Sequence, residues 1–220
     1  MTEAEWLTCD DSVPMIDFLY GNVSDRKLRL FGCACCRRIW HIYDEAARHA
    51  VEVAEQHADG TATKAECRAV ERAVKYAGPR VVIDGSAYRA AAHGSRDTAG
   101  EHADVQVPHP RYPWAESDYD AYRREYLGAF ERERLSNILL LRDIFGNPFR
   151  PVAFDPAWRT DTAVALAAQM YESRDFSVMP ILADALQDAG CDNDDILAHC
   201  RGDGPHVRGC WVVDLVLGKS

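Results

Sequence analysis

The sequence lacks the features that would span a membrane or direct export. No stretch approaches eighteen apolar residues, which is the length that a transmembrane helix requires. The N-terminal residues MTEAEWLTCD contain no basic segment followed by an apolar run, so no signal peptide is predicted. We therefore expect a cytoplasmic protein with no membrane partner. In that compartment the eight cysteines remain reduced and form no disulfide framework.

An excess of positive charge is also absent. The formal net charge is -10, which argues against sequence-independent nucleic-acid binding, because such proteins present a basic face. The chain contains no GxxxxGK[ST], GxGxxG, HExxH or GxSxG motif, so no common nucleotide-binding or hydrolase class is indicated. One local basic group is present, either as a solvated helix face or as a binding patch: Arg26, Lys27, Arg29, Arg37 and Arg38.

The patterns that are present are mostly helical. Hydrophobic residues make up 47% of the chain, which is enough for a sizeable core. After the N-cap candidates Ser24 and Asp25, apolar residues recur at steps of three and four as far as Val53, which predicts one long helix. Thr63 and Glu66 form a capping box that begins another helix. We therefore predict a mainly α protein, folded as a compact multi-helix domain over residues 1–220.

Residues 79–116 interrupt this pattern with prolines and glycines, so an irregular excursion is predicted there, either a set of short helices or a functional excursion. Val81, Val82 and Ile83 suggest a short strand or a buried extended segment. The run HPRYPW at 109–114 combines aromatic rings, an arginine and two prolines. It fits either a recognition surface or a loop whose aromatic side chains pack onto the body of the protein.

The C-terminal segment 180–220 contains the densest group of metal-binding residue types. Thiols and imidazoles are the donors that zinc prefers, and four of them fill a closed structural site. If a last helix runs from Pro205 to Leu217, its first two donors are four positions apart and share one face. A zinc site is therefore one interpretation, and buried cysteines with histidines at helix ends are another. The candidate ligands are Cys191, His199, Cys200, His206 and Cys210.

A thiol active site is a further alternative for the same segment. Cys210 would be the nucleophile, His206 its base, and Asp214 the group that orients or charge-balances the pair. Arg208 lies close enough in sequence to bind an anionic substrate group. The weakness of this hypothesis is geometric, because a cysteine and a histidine four apart on one helix are not a common catalytic arrangement, and no oxyanion hole is visible.

Two other groups carry weaker signals. Cys33 and Cys36 are three positions apart beside Cys35, and they could complete a metal site with His41 or with the C-terminal cluster, or simply lie in the core. Four acidic residues are scattered along the chain and show no acid–base pairing that the sequence can support: Glu131, Glu133, Asp143 and Asp155.

Three segments resemble a family of short, uncharacterised bacterial proteins. They are SDRKLRLFGCACCRRIW (24–40), LRDIFGNPFRP (141–151) and the stretch 181–219, which contains ILADALQDAGC and PHVRGCWVVDLVLGK. They cover less than half of the chain. The family has no assigned activity, substrate or catalytic residue, so the resemblance implies only that the first and last parts belong to one unit.

The sequence therefore favours a non-enzymatic binding or adaptor protein with a protein partner, in which zinc clamps the C-terminal helices. The alternative is a small cysteine- or metal-dependent enzyme that uses Cys210 and His206. A metal ion with all four positions filled by protein donors favours the first hypothesis. A low thiol pKa beside an open pocket favours the second.

Overall fold

Helices are the regular elements of the part of the chain that the structure describes. A computed structural model describes residues 1–75, 77–84, 86–107, 109 and 116–219, and in these ranges the predicted mainly α class is confirmed. No helix in the described ranges is both long and apolar enough to cross a membrane. The α-helices are α1 (Glu3–Thr8), α2 (Ser12–Leu19), α3 (Asp25–Arg38), α4 (Glu45–Ala58), α5 (Lys64–Glu71), α6 (Ala77–Asp84), α7 (Ala87–Gln106), α8 (Glu116–Phe145), α9 (Asp161–Ser173), α10 (Met179–Asp188), α11 (Asp194–Arg201) and α12 (Trp211–Leu217).

The chain divides into two compact units. The first covers Glu3–Ile138, and the second begins at Leu139, so the last turns of α8 belong to the second unit. The expectation that residues 1–220 form a single domain stays a prediction.

The first unit is organised around α3, which packs against α4, α6 and α7. The α3–α7 contact is close because glycine is present at the crossing. A Cβ atom on Gly32 would collide with the carbonyl oxygen of Ala90, and it would lie 2.9 Å from the Val82 side chain. Gly94 faces the same point on α7, and a Cβ atom there would lie 3.6 Å from the Cα of Gly32. The two helix backbones can therefore approach in a way that larger residues would prevent.

The single long helix predicted from residue 24 to Val53 is wrong. α3 ends at Arg38, a short 3-10 helix follows at Trp40–Ile42, and α4 begins at Glu45. The Asp44 side chain accepts a hydrogen bond from Ala47 N at 2.9 Å and so caps α4. Ile39 and Tyr43 are buried on either side of the break, which is why the apolar periodicity continued through it. The capping box at Thr63 and Glu66 is confirmed.

The irregular excursion predicted at 79–116 is also wrong for much of its length. α6 (Ala77–Asp84) and α7 (Ala87–Gln106) are helical, and the predicted strand at 81–83 lies within α6. Pro79 is the third residue of α6, in the first turn, where the missing N–H of proline has no helical partner to lose. Of the HPRYPW run, residues 110–114 lie outside the described residues. The His109 ring lies 4.9 Å from the Tyr122 ring.

Two members of the basic group on α3 form ion pairs with buried carboxylates. Arg37 makes two hydrogen bonds to Glu55, at 2.9 and 2.8 Å, and its guanidinium lies 3.9 Å from the Trp40 ring centroid. Arg38 makes two to Glu133, at 2.6 and 3.2 Å. Both glutamates are about 97% buried, with exposed fractions of 2% and 3%. These arginines therefore hold helices together inside the first unit and do not form a solvated face.

The second unit buries one apolar core between α9, α10, α11 and α12. Ile196 and Leu197 from α11 and Val212, Val213 and Val216 from α12 belong to it. α12 begins at Trp211, so the predicted helix from Pro205 is wrong in its first six residues. Gly209 has a φ of +96°, a conformation that is not helical and that favours glycine. The segment 202–210 is consequently a loop that joins α11 to α12.

Candidate metal centre

The site begins with a carboxylate at an unfavourable place in a helix. Asp143 lies in the last turn of α8, and only 3% of the residue is exposed. A negative charge near a helix C-terminus opposes the helix dipole, and burial adds a desolvation cost. The carboxylate is compensated by three donors. His206 Nδ1 lies 2.8 Å and His199 Nε2 lies 3.2 Å from Oδ1, and Val207 N donates to Oδ2 at 2.9 Å.

The two imidazoles come from neighbouring segments of the chain. His199 lies in the last turn of α11, and His206 lies in the loop that follows. Their ring centroids are 4.8 Å apart in an edge-to-face arrangement, and the Trp211 ring lies 5.1 Å from that of His199. Ring packing therefore limits the freedom of both histidines and directs one nitrogen of each toward Asp143.

Cys210 completes the group from the end of the same loop. It is fully buried at the N-cap of α12, and its sulfur lies 3.1 Å from His199 Nε2. Burial, followed by the charge of Asp143, raises the thiol pKa well above its usual value. The backbone N–H groups of Val213 and Val212 act in the opposite direction but do not outweigh burial. Without a cation nearby, Cys210 is therefore a neutral thiol at neutral pH.

The pKa of Asp143 is shifted the other way. Burial raises it, but hydrogen bonds from His199 and His206 outweigh burial, and the net shift is downward. Asp143 is therefore an ionised carboxylate at neutral pH. Its Oδ1 and the Cys210 sulfur both lie within about 3 Å of the same His199 nitrogen. One ring nitrogen cannot donate to the carboxylate and accept from the thiol at the same time.

A metal ion would satisfy all four groups together. One donor atom from each of Asp143, His199, His206 and Cys210 lies within 4.8 Å of the other three, and this is a group that could hold a metal ion. Two donors on a tetrahedral zinc ion lie roughly 3.3–3.6 Å apart, given bond lengths of about 2.0–2.3 Å. To surround such an ion, the three short separations in the group, 2.8, 3.1 and 3.2 Å, would have to widen, and the longest, up to 4.8 Å, would have to shorten by about 1 Å.

The structure brings together three of the five ligands predicted from the sequence. His199, His206 and Cys210 are in the group, although the last two do not share a helix face. Cys191 and Cys200 lie outside it, in the apolar core of the second unit. Burial and the proximity of Cys191 and Asp143 raise the pKa of Cys200 to about 12. These two cysteines are packing residues in this arrangement.

Asp143 is the ligand candidate that the sequence analysis missed. It was noted among scattered acidic residues, and 56 positions separate it from His199. One signal was available. An aspartate in the last turn of a helix is electrostatically unfavourable, so a buried cationic partner or a metal ion could have been sought for it.

The thiol-enzyme alternative is not favoured by this geometry. The imidazole nearest the Cys210 sulfur is that of His199, and the sulfur is completely buried with a raised pKa. Reactive cysteines require a lowered pKa and partial exposure. Asp214, the third proposed member, is buried in α12 and lies outside the group of four.

The second possible metal site, at Cys33, Cys36 and His41, is not formed among the described residues. Cys33 and Cys36 belong to the core of the first unit, and Cys35 is equally buried. Burial is the main cause that raises the pKa of all three thiols. All eight cysteines are free thiols.

A cavity of about 220 Å³ borders the candidate metal centre. It is lined by Asp143, His199 and His206, together with Leu139, Arg142, Ala198 and the turn from Gly202 to Pro205. His206 Nε2 is buried and has no hydrogen-bond partner among the described residues. The centre therefore has one side next to open space, while the Cys210 side is closed by the core.

Comparison with known proteins adds no functional assignment. The chain matches no protein-family model, and no curated protein or solved structure matches it. The function must therefore be inferred from the chemistry of the site itself.

Proposed function

We propose that this chain is a non-enzymatic binding or adaptor protein whose C-terminal unit is stabilised by a zinc ion held by Asp143, His199, His206 and Cys210. The observation that carries the proposal is the convergence of four different donor atoms within 4.8 Å. A thiolate with two imidazoles favours zinc over magnesium or calcium, which prefer oxygen donors. Four protein donors complete the tetrahedron, so the ion has a structural role. A protein partner is part of this proposal.

The placement of the ligands supports a structural ion. They belong to the end of α8, the end of α11 and the loop 202–210, so a bound ion would connect the end of α8 to a segment that is far from it in the chain. An ion that binds the folded state and not the unfolded chain stabilises the fold by mass action. It would also remove the conflict at His199 Nε2, because metal coordination deprotonates the thiol and uses the lone pair of the imidazole.

Elemental analysis of protein purified without chelator tests the proposal. We expect about one equivalent of zinc per chain, and loss of that zinc in Cys210→Ser. The matched control is Cys200→Ser, because Cys200 is equally buried but lies outside the group. The control should lose stability through a buried hydroxyl, by about 1–3 kcal/mol, and keep its zinc. Parent protein that neither contains zinc nor binds added zinc would contradict the proposal.

A metal-dependent enzyme is the second candidate, and the 220 Å³ cavity beside Asp143 and His206 is the observation that favours it. Catalytic zinc sites keep one coordination position open for water or substrate. Cobalt-substituted protein distinguishes the two roles. A four-coordinate spectrum that azide leaves unchanged indicates the closed structural site. A spectrum that azide alters indicates an open position on the cavity side.

A further inference from the structure

A second cavity, in the first unit, lies where the ends of several helices meet. Its volume is about 430 Å³. The beginnings of α3, α5 and α7 and the ends of α4 and α6 surround it. Its lining residues are Asp25, Arg26, Arg29, His57, Ala58, Lys64, Cys67, Arg68, Ile83, Ser86 and Ala87.

The lining of this cavity has the opposite charge to the protein as a whole. It includes four permanent cations and one carboxylate, Asp25, in a chain whose net charge is -10. Asp59 also pairs with Arg26, at 2.9 Å. Counting both carboxylates leaves an excess of two positive charges. A concave site with one sign of charge concentrates ligands of the other sign.

Two of the cations are held in place by the fold. Arg26 is fixed by Asp59, and the side chains of this pair are 13% and 7% exposed. Arg29 donates through Nη1 to the carbonyl oxygen of Val82 at 2.5 Å, at the end of α6. Lys64 and Arg68 lie on the exposed face of α5 and form no ion pair with a described residue. The site therefore combines two guanidinium groups held by other residues with two cations on exposed side chains.

The helix ends add to the positive potential. α7 has 20 residues, and its first residues, with Ser86 at the N-cap, line the cavity. The N-terminus of a long helix carries a partial positive charge and favours a bound anion. This contribution supports the side-chain charges and would not define a site without them.

The apolar floor of the cavity consists of Ile83, Ala87 and Cys67, which line it and are 4–5% exposed. The volume of about 430 Å³ falls in the range of small-molecule sites, which is roughly 300–1,000 Å³. A ligand that suits these surfaces has one multiply charged anionic end and one organic end.

We propose that this cavity binds a small phosphorylated organic molecule, with its phosphate among Arg26, Arg29, Lys64 and Arg68 and its organic part against Ile83 and Ala87. Phosphate is favoured over a single carboxylate because its double charge and three oxygens can engage several cations at once. The proposal concerns the first unit alone and does not depend on the zinc ion. It assigns a ligand class to the binding activity of the chain.

Titration calorimetry of the full chain, as purified and at low salt, tests the proposal. The probes are phenyl phosphate, adenosine 5′-monophosphate and inorganic phosphate, with phenol and adenosine as uncharged counterparts. We expect at least one of the two phosphomonoesters to bind more tightly than inorganic phosphate, and the uncharged compounds not to bind. Absence of binding by both phosphomonoesters overturns the proposal. Inorganic phosphate binding as tightly as the better phosphomonoester overturns the role of the apolar floor.

Matched charge reversals separate a defined site from general electrostatic attraction. The double variant Lys64→Glu/Arg68→Glu should weaken phosphomonoester binding at least tenfold. The control Arg72→Glu/Lys75→Glu changes the net charge equally at exposed positions outside the cavity lining, and it should stay within about twofold of the parent. Equal losses in the two double variants would overturn the proposal. All four residues are exposed, so circular dichroism should show unchanged folding in both.

Discussion

At the scale of single residues, the environment of a side chain decides its chemistry more than its type does. Cys200 and Cys210 are both fully buried in the apolar core of the second unit, yet only the Cys210 sulfur contacts an imidazole beside a carboxylate. Asp143 and Asp203 both line the small cavity, yet the first is buried under three donors and the second is exposed. Such pairs provide matched variants, in which one chemical change is made inside and outside the site.

Replacing Asp143 by asparagine should weaken zinc binding. The change preserves the shape of the side chain but removes the negative charge that balances the cation. We expect the zinc affinity to fall at least tenfold, as measured by competition with a chromophoric chelator. Asp203→Asn removes the same charge from the exposed turn nearby and should leave the affinity within about twofold. Equal losses in both variants would show that net charge, and not coordination, determines the affinity.

The three thiols of α3 should make the first unit sensitive to alkali. Burial raises the pKa values of Cys33, Cys35 and Cys36 in the folded state, whereas the unfolded chain releases their protons near pH 8.5–9. The stability that neutral thiols provide is therefore complete below about pH 8.5 and falls as pH rises toward the folded pKa values. Each thiol should contribute a loss of about 1.4 kcal/mol per pH unit above that point.

Urea unfolding at pH 7.5 and at several pH values up to 10 measures this loss. Cys35→Ala should remove the contribution of one thiol, so that the free energy of unfolding falls by about 1.4 kcal/mol less per pH unit than in the parent protein. Cys9→Ala is the control, because Cys9 is partly exposed, and it should leave the slope unchanged. A parent slope that Cys35→Ala does not alter would show that other groups cause the alkaline loss.

At the scale of helices, local signals and tertiary packing determine different features. Ser24, Thr63 and Glu66 act within one turn of the chain, and their capping roles could be predicted from the sequence. The break between α3 and α4 could not be predicted, because Ile39 and Tyr43 stay buried across it and preserve the periodicity. Gly94 and Gly100 predicted a break in the helical pattern, but both lie within the continuous helix α7. Packing explains the glycine at position 94, because Gly94 faces Gly32 where α3 and α7 cross.

The candidate metal site, like the helices, could be predicted only where its residues lie close together in the sequence. His199, His206 and Cys210 lie within twelve residues of one another, so their density in the sequence identified them. Asp143 is brought to them by the fold of the second unit, which no local pattern records. Cys191 and Cys200 share their residue type, their segment and their buried core with Cys210, and only their position in the fold places them outside the group of four.

Substitution of Gly32 by alanine should destabilise the α3–α7 contact. The new Cβ would overlap the Ala90 carbonyl, a backbone atom that cannot move without displacing α7. We expect a loss of about 1–3 kcal/mol in the free energy of unfolding. Gly100→Ala on α7 is the control, because the nearest atom to its Cβ is 4.0 Å away. That variant should gain up to about 1 kcal/mol from helix propensity. A stability gain in Gly32→Ala together with a stability loss in Gly100→Ala would contradict the close crossing of α3 and α7.

At the scale of the whole molecule, the two units should respond differently to removal of metal. The candidate ligands all belong to the second unit, and the large cavity belongs to the first. Hydrogen exchange of zinc-loaded protein, with and without chelator, measures the response segment by segment. We expect faster exchange in α11 and α12 after chelation and little change in α3 and α7. Faster exchange confined to α3 and α7 would contradict the assignment of the metal to the second unit.

The adjacent arginines of α3, Arg37 and Arg38, restrict the rotation of this helix about its own axis. Arg37 reaches Glu55 on α4, and Arg38 reaches Glu133 on α8. Neighbouring residues on a helix point about 100° apart, so one rotational setting of α3 satisfies both glutamates. A setting rotated by one residue would pair one glutamate and leave the other charged and buried, a penalty of several kcal/mol. Because both ion pairs must form at once, Arg37 and Arg38 restrict α3 to a single rotational orientation in the first unit.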